Sequence, residues 1–458
     1  MGGGSVHFTA NYWRFHESDF RERSLFGEVP GADLRDWPIA YADLEPYYTK
    51  AEYELGISGL AGANPFEAPR SKPYPLPPMP VKSSGVLFDR GAKKLGLHPF
   101  PAPVAILSQP YQGRGACVNC GFCESFGCEM RAKSSTLVSV IPVAEKTGRC
   151  EIRPDCYVRK IETNDAGRAT GAIYFDRNRR EVFQRAKAVF VCANGAETPK
   201  LLLMSKSKQF PAGLANSSGL VGTHLMWDNG AEAQGLFEHP LNEYKGIQVT
   251  RLIHDYYAAD PKRGFYGGGG IDARFDFYPA GFALHGLPGD APKWGSEYKK
   301  MFETYFNRTM MLMSHTTSLA QAKNTITLDP DVKDAWGLPA VRVTFDYHPD
   351  DLATMKWIIQ KQIEILEAAG AQKTWTLPFD IIDNMPSRHL MGTCRMGNDP
   401  HASVVNAHSR THDVPNLFLV DGSNFVTAAR QQPTATIQAL AYRAADFAID
   451  AAKRGELS

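Results

Sequence analysis

Two short hydrophobic runs, each leading through a glycine-bearing turn towards a proline-started helix, constrain this chain more than any other feature. The first, residues 188–192 (AVFVC), runs into Ala193-Asn-Gly-Ala-Glu-Thr-Pro-Lys200 and a leucine-rich segment. The second, residues 417–420, ends in Asp421-Gly-Ser and is followed, after Gln431-Gln-Pro433, by a helical pattern over 434–453. A wholly apolar run such as AVFVC reads as a strand buried on both faces. Strand, glycine turn and helix in that order form one half of a nucleotide-binding crossover, whose helix end faces a phosphate or a ring.

The rest of the chain fits an α/β protein. Helical patterns cover 42–55, with Tyr41-Ala-Asp43 as its N-cap, then 84–95 and 350–368, the last opening on an Asp pair suited to a helix N-terminus. Alternating apolar segments at 309–313, 325–328 and 340–345 indicate antiparallel strands, and further strands are expected at 151–161 and 168–176. Residues 63–81 are proline-rich and read as a surface excursion or lid. The 458 residues, 43% of them hydrophobic, suffice for two to three domains. A net charge of +1 without a basic stripe gives no footprint for nucleic acid. No apolar run reaches the roughly 18 residues of a membrane span, and the N-terminus has no signal-peptide pattern.

His389 lies in a polar Gly/Thr loop. Removing a hydroxyl proton while hydride leaves carbon calls for a base near neutral pH, which histidine supplies; the plainer reading is a structural, hydrogen-bonded histidine. A helix starting at Pro433 offers unpaired N–H groups that would stabilise developing negative charge. Four cysteines, Cys117, Cys120, Cys123 and Cys128, are spaced C-x2-C-x2-C-x4-C. Their spacing points to an iron–sulfur cluster ahead of zinc, with unliganded thiols as a third reading. Cys150, Cys156, Cys192 and Cys394 read as buried apolar cysteines.

Taken together, these motifs resemble a known family. His389 with Gly392-Thr-Cys-Arg-Met-Gly397, Ser403-Val-Val-Asn406, Val420-Asp-Gly-Ser423 and Gln432-Pro-Thr-Ala-Thr-Ile-Gln438 resemble the C-terminal signature of the glucose–methanol–choline (GMC) oxidoreductases. The likeness runs over nearly the whole chain. Gly2-Gly-Gly-Ser-Val-His7, Trp13-Arg-Phe15, the cysteine run and Gly222-Thr-His224 are similar to bacterial sugar and sugar-acid dehydrogenases of the gluconate 2-dehydrogenase flavoprotein type.

The resemblance implies an FAD-binding Rossmann-like part (1–30, 130–223 and 386–458), a lid or insert with the cysteines (31–129), and an α+β substrate domain with an antiparallel sheet (224–385). It implies oxidation of a CH–OH group of a sugar, sugar acid or glycoside, with His389 as base and Gln432 orienting the oxygen. Asp421, Gly422, Pro433 and Thr434 would line the flavin, Val158, Ala193, Asn194 and Gly195 its adenine side, and Gly3, Gly4 and Ser5 the turn beneath the isoalloxazine. His7 stands where related enzymes attach FAD covalently. Electrons would pass to an acceptor other than O2, with a small subunit and a cytochrome as partners and an iron–sulfur cluster as the exit route.

Two departures accompany the likeness. Gln432 stands where many members carry Asn or His. The family's Gly-x-Gly-x-x-Gly pyrophosphate turn does not occur in the sequence, so it is expected upstream of Met1 or on a second chain. A reading from another class follows: a non-catalytic fragment or metal-binding electron-transfer subunit held by a partner.

Overall fold

The computed structural model describes residues 3–227, 229–376 and 389–457. Its largest sheet has six antiparallel strands in the order Phe100–Pro101, Arg251–Ile253, Gly269–Arg274, Thr309–Thr316, Asn229–Leu236 and Lys373–Thr376. The two central strands Gly269–Arg274 and Thr309–Thr316 are buried along their whole length. Helices Ser83–Lys94 and Pro349–Ala369 pack on the sheet. There Phe88, Ile358, Ile365 and Leu366 close a core with Ala231, Ala233, Ile271 and Leu312. The segment expected as a lid therefore also supplies a helix and an edge strand to this sheet.

The nucleotide-binding half is built as its sequence suggests, with one correction. Leu417–Leu419 pairs in parallel with Val189–Val191, residue 417 opposite 189 and 419 opposite 191. Double burial fails for the first strand: Val191 is buried, but Phe190 is exposed, stacked at 4.6 Å on Phe418, and Cys192 is exposed. Among the described residues this strand pairs with the strand of 417–419 alone, and the side chain of Phe190 keeps one face exposed. Beside this pair lies an antiparallel sheet of Tyr157–Thr163, Ala169–Phe175 and Glu181–Arg185. A hairpin of Thr325–Lys333 and Pro339–Thr344 forms a separate two-stranded sheet that packs on the helix Glu197–Met204. The last helix, Thr434–Lys453, packs on Tyr41–Leu55 and sets Ala444 and Ala448 against Phe418 and Val420.

Other expectations shift in detail. Ala40, not Tyr41-Ala-Asp43, caps the helix Tyr41–Leu55: its backbone N–H donates to Asp43 Oδ2 at 2.7 Å, which puts Asp43 in the first turn. Cys394 is buried, whereas Cys150 and Cys192 are exposed and Cys156 is half-buried; Cys156 directly precedes the strand Tyr157–Thr163 and Cys192 directly follows Val189–Val191.

Candidate active site

The carbonyl of Leu390, next to His389, is wedged between two glycines from the two crossover turns. A Cβ on Gly195 would stand 2.4 Å from Leu390 O and one on Gly422 2.8 Å from it, so neither position tolerates a side chain without movement. Thr393 Oγ1 donates to Gly195 O at 2.7 Å, and the Gly392 and Cys394 N–H groups donate to Gly422 O at 3.1 Å and Ser423 O at 2.7 Å. The loop carrying His389 is thus laced along both turns, and His389 itself takes the left-handed conformation, φ 57°. That conformation is uncommon outside glycine and concentrates at functional positions. Ser387 and Arg388, immediately before His389, lie outside the described residues, as do Gly2 and the 385/386 domain boundary.

Asp421 ties the turns together. It accepts from Thr198 Oγ1 at 2.6 Å and from the Ser423 N–H at 2.8 Å, and the Ala193 backbone also reaches it. Burial holds its carboxyl above the usual range, against those hydrogen bonds. Asn194 is spent locally, its Oδ1 accepting the Ala196 and Glu197 N–H groups at 2.8 and 2.9 Å. Ala193, Asn194 and Val158 are exposed and Gly195 is buried. Pro433 is the N-cap of the last helix and Thr434 its first residue. Gln432 is buried, 4% exposed, and neither its Nε2 nor its Oε1 has a hydrogen-bond partner. Asn11 is in the same condition.

The N-terminal candidates form a second group. Gly3–Val6 is a single helical turn. Ser5 Oγ accepts the Thr136 N–H at 3.4 Å, and His7, exposed, receives the Ser125 N–H on its carbonyl at 2.7 Å. These contacts run to the cysteine loop and its sequel. The metal expectation at Cys117, Cys120, Cys123 and Cys128 gains no support from the structure. Among the described residues no group of three or more His, Cys, Asp or Glu is placed to hold a metal. Burial pushes the Cys123 thiol up to about 12. Cys117 and Cys128 pack with Leu76, Leu107 and Ala132, while Cys120 is exposed.

Sequence reasoning missed the second histidine. His315, on the buried strand Thr309–Thr316, stands 5.8 Å from His389 between ring centroids. Its Nε2 faces Arg274 Nη2 at 3.5 Å, and Arg274 donates twice to Asp272, both at 2.6 Å, and once to Asp276 at 3.1 Å. Trp13 sets its ring edgewise to His315 at 6.4 Å. One histidine among 13, on an apolar strand, carries no sequence signal; its place is set by strand pairing, with residue 230 on one side and 270 on the other.

A paired parallel crossover, a glycine-wedged histidine loop and buried amides without partners define a flavin-dependent oxidoreductase. Buried donors and acceptors of this kind fit the polar edge of a flavin ring, and the helix end at Pro433 fits its anionic side. Residues 1–226 match the N-terminal part and residues 320–441 the C-terminal part of the GMC oxidoreductases, and the chain belongs to that family. It is 37% identical over 455 residues to the 2-methyl-1,2-propanediol dehydrogenase of Mycolicibacterium austroafricanum, covering 98% of this chain and 80% of that one. It is 30% identical to the gluconate 2-dehydrogenase flavoprotein of Pantoea cypripedii, covering 96% and 77%. Among solved structures, formate oxidase superposes with a TM-score of 0.64 at 14% identity, over 100% of this chain and 85% of that one, which shows the shared fold.

Proposed function

We propose that this chain oxidises a CH–OH group of a sugar, sugar acid or small diol, with His389 taking the hydroxyl proton. The observation that carries this is the His389 loop locked against Gly195 and Gly422, with the partnerless amide of Gln432 at the start of the helix expected to face the cofactor. FAD, when bound, supplies the hydride acceptor. The chain's own groups do the rest. His389 accepts the hydroxyl proton through a ring nitrogen. Gln432 holds the same oxygen, since an amide can both donate and accept. Free N–H groups after Pro433 stabilise negative charge that gathers beside them. Asp421 and the turns at Ala193–Gly195 and Gly422 hold the ends of the two parallel strands where a dinucleotide lies. Gly3, Gly4 and Ser5 would pass beneath the ring system, and Val158 would meet the adenine.

The same reading assigns the electrons to an acceptor other than O2, in an assembly with a small subunit and a cytochrome. The likeness to a gluconate 2-dehydrogenase flavoprotein supports this, as does that to a diol dehydrogenase. Purified protein should show oxidised-flavin absorption and reduce an artificial dye with 2-methyl-1,2-propanediol or gluconate while consuming little O2. A flavin-free protein that takes up no FAD, or O2 consumption matching dye reduction, would overturn the corresponding part. Acid precipitation tests His7: flavin held covalently there stays in the pellet.

A further inference from the structure

A cavity of about 290 Å³ lies between the cysteine loop at 120–126, the segment 243–248 and the strand end at 275–279. The Gly246 N–H donates to Asn119 O at 3.1 Å, which closes the loop onto the second wall. Three aromatic side chains on its lining, Phe122, Phe126 and Tyr278, are 40% to 57% exposed, so they are available to a ligand. Phe126 and Tyr278 meet edgewise at 6.2 Å across it.

The polar groups on the walls are acceptors. Asp276 Oδ2 takes a hydrogen bond from Arg274 at 3.1 Å, while its Oδ1 is buried without a donor. Gln248, 7% exposed, also has its Oε1 without a donor. Glu124 also lines the cavity, its charge beside Arg274 and Lys133, and Glu243 is already engaged by Ser84 Oγ at 2.6 Å and Lys82. Lys245, the cation among the described lining residues, sits with Nζ 5.5 Å from the Tyr244 ring centroid. That aromatic face therefore already holds an ammonium group.

We propose that this cavity binds an ammonium group, and that the substrate class is accordingly an amine-bearing polyol. Unmet acceptors require a ligand rich in donors, and carboxylates beside aromatic faces select a charged donor over a hydroxyl. Arg274 joins the cavity to the reacting centre, since it holds Asp276 on one side and faces His315, the neighbour of His389, on the other. The substrate assignment rests on the function proposed above; the ammonium site does not.

Calorimetric titration of the full chain with glucosamine, glucose and N-acetylglucosamine at neutral pH tests it without turnover. Glucosamine should bind at least about tenfold more tightly than either uncharged sugar. Glu124→Gln and the exposed Tyr278→Leu should each weaken it about fivefold or more with the thermal transition unchanged. His389→Ala should leave the binding as it is. Equal binding of the three sugars, no binding of glucosamine, or wild-type binding by both cavity variants would overturn the site. Glucosamine binding as described, in a protein that oxidises no amino sugar with any acceptor, would leave the site standing and overturn its assignment to substrate.

Discussion

Gln432 has two buried polar atoms and no internal partner for either. Replacing such a group with an apolar one of similar size removes a desolvation cost and breaks no bond. Gln432→Leu should therefore leave the urea midpoint equal or slightly higher while lowering kcat/KM by about tenfold or more, if the amide holds the substrate oxygen. A fall in stability together with unchanged kinetics would assign Gln432 to the scaffold. Gly195 makes the opposite prediction. With Leu390 O 2.4 Å from the position of its Cβ, Gly195→Ala must push the His389 loop away. We expect a loss of about 1–3 kcal/mol in chemical denaturation together with lowered turnover. His389, Gln432, Asp421 and these glycines were legible because they occur in ordered motifs. His315 and Arg274 were not: Met-Leu-Met-Ser-His and Ile-Asp-Ala-Arg read only as apolar or mixed segments, and their role exists only through strand pairing.

At the scale of elements, the loop leading into Gln432 is held by the N-terminal segment. Arg430, fully buried, bonds Asp19 at 3.2 Å and Glu22 at 2.6 Å. Tyr257 donates to Asp19 at 2.6 Å, Trp37 Nε1 to Thr427 at 2.8 Å, and Gln431 to the carbonyl of Arg14. Burial, together with the neighbouring Glu22, holds the Asp19 carboxyl above its ordinary range although Arg430 pulls it down. Arg430→Met strands two buried carboxylates and should cost about 3–5 kcal/mol at neutral pH. A carboxyl with a raised folded pKa favours the folded state at low pH and loses that contribution as pH rises through it. Without the arginine this pKa climbs further. The deficit of Arg430→Met relative to wild type should therefore shrink on going from neutral towards mildly acidic pH; urea midpoints across that range check it, and a pH-independent deficit would contradict the scheme. None of this clamp could be read from sequence, because its partners are between 238 and 417 positions apart. Periodicity did reveal the helices Pro349–Ala369 and Thr434–Lys453, while Gly269–Arg274 and Asn229–Leu236, rich in glycine and alanine, gave no strand alternation.

Across the whole molecule the site is an assembly of three stretches. The last 70 or so residues bring His389, Asp421 and Gln432, the antiparallel sheet brings His315, and the N-terminal stretch brings Trp13. Long-range packing and not local order sets their relation, and this is why the sequence shows the parts of a flavin enzyme more clearly than their arrangement. The central claim is that His389 takes the substrate proton as hydride departs. Rapid mixing of flavin-loaded protein with a substrate found by dye reduction, under anaerobic conditions, measures that step directly through bleaching of the flavin. His389→Ala should bind flavin with an unchanged spectrum and bleach at least about a hundredfold more slowly than wild type; bleaching within about tenfold of the wild-type rate would contradict the assignment of His389 as the base.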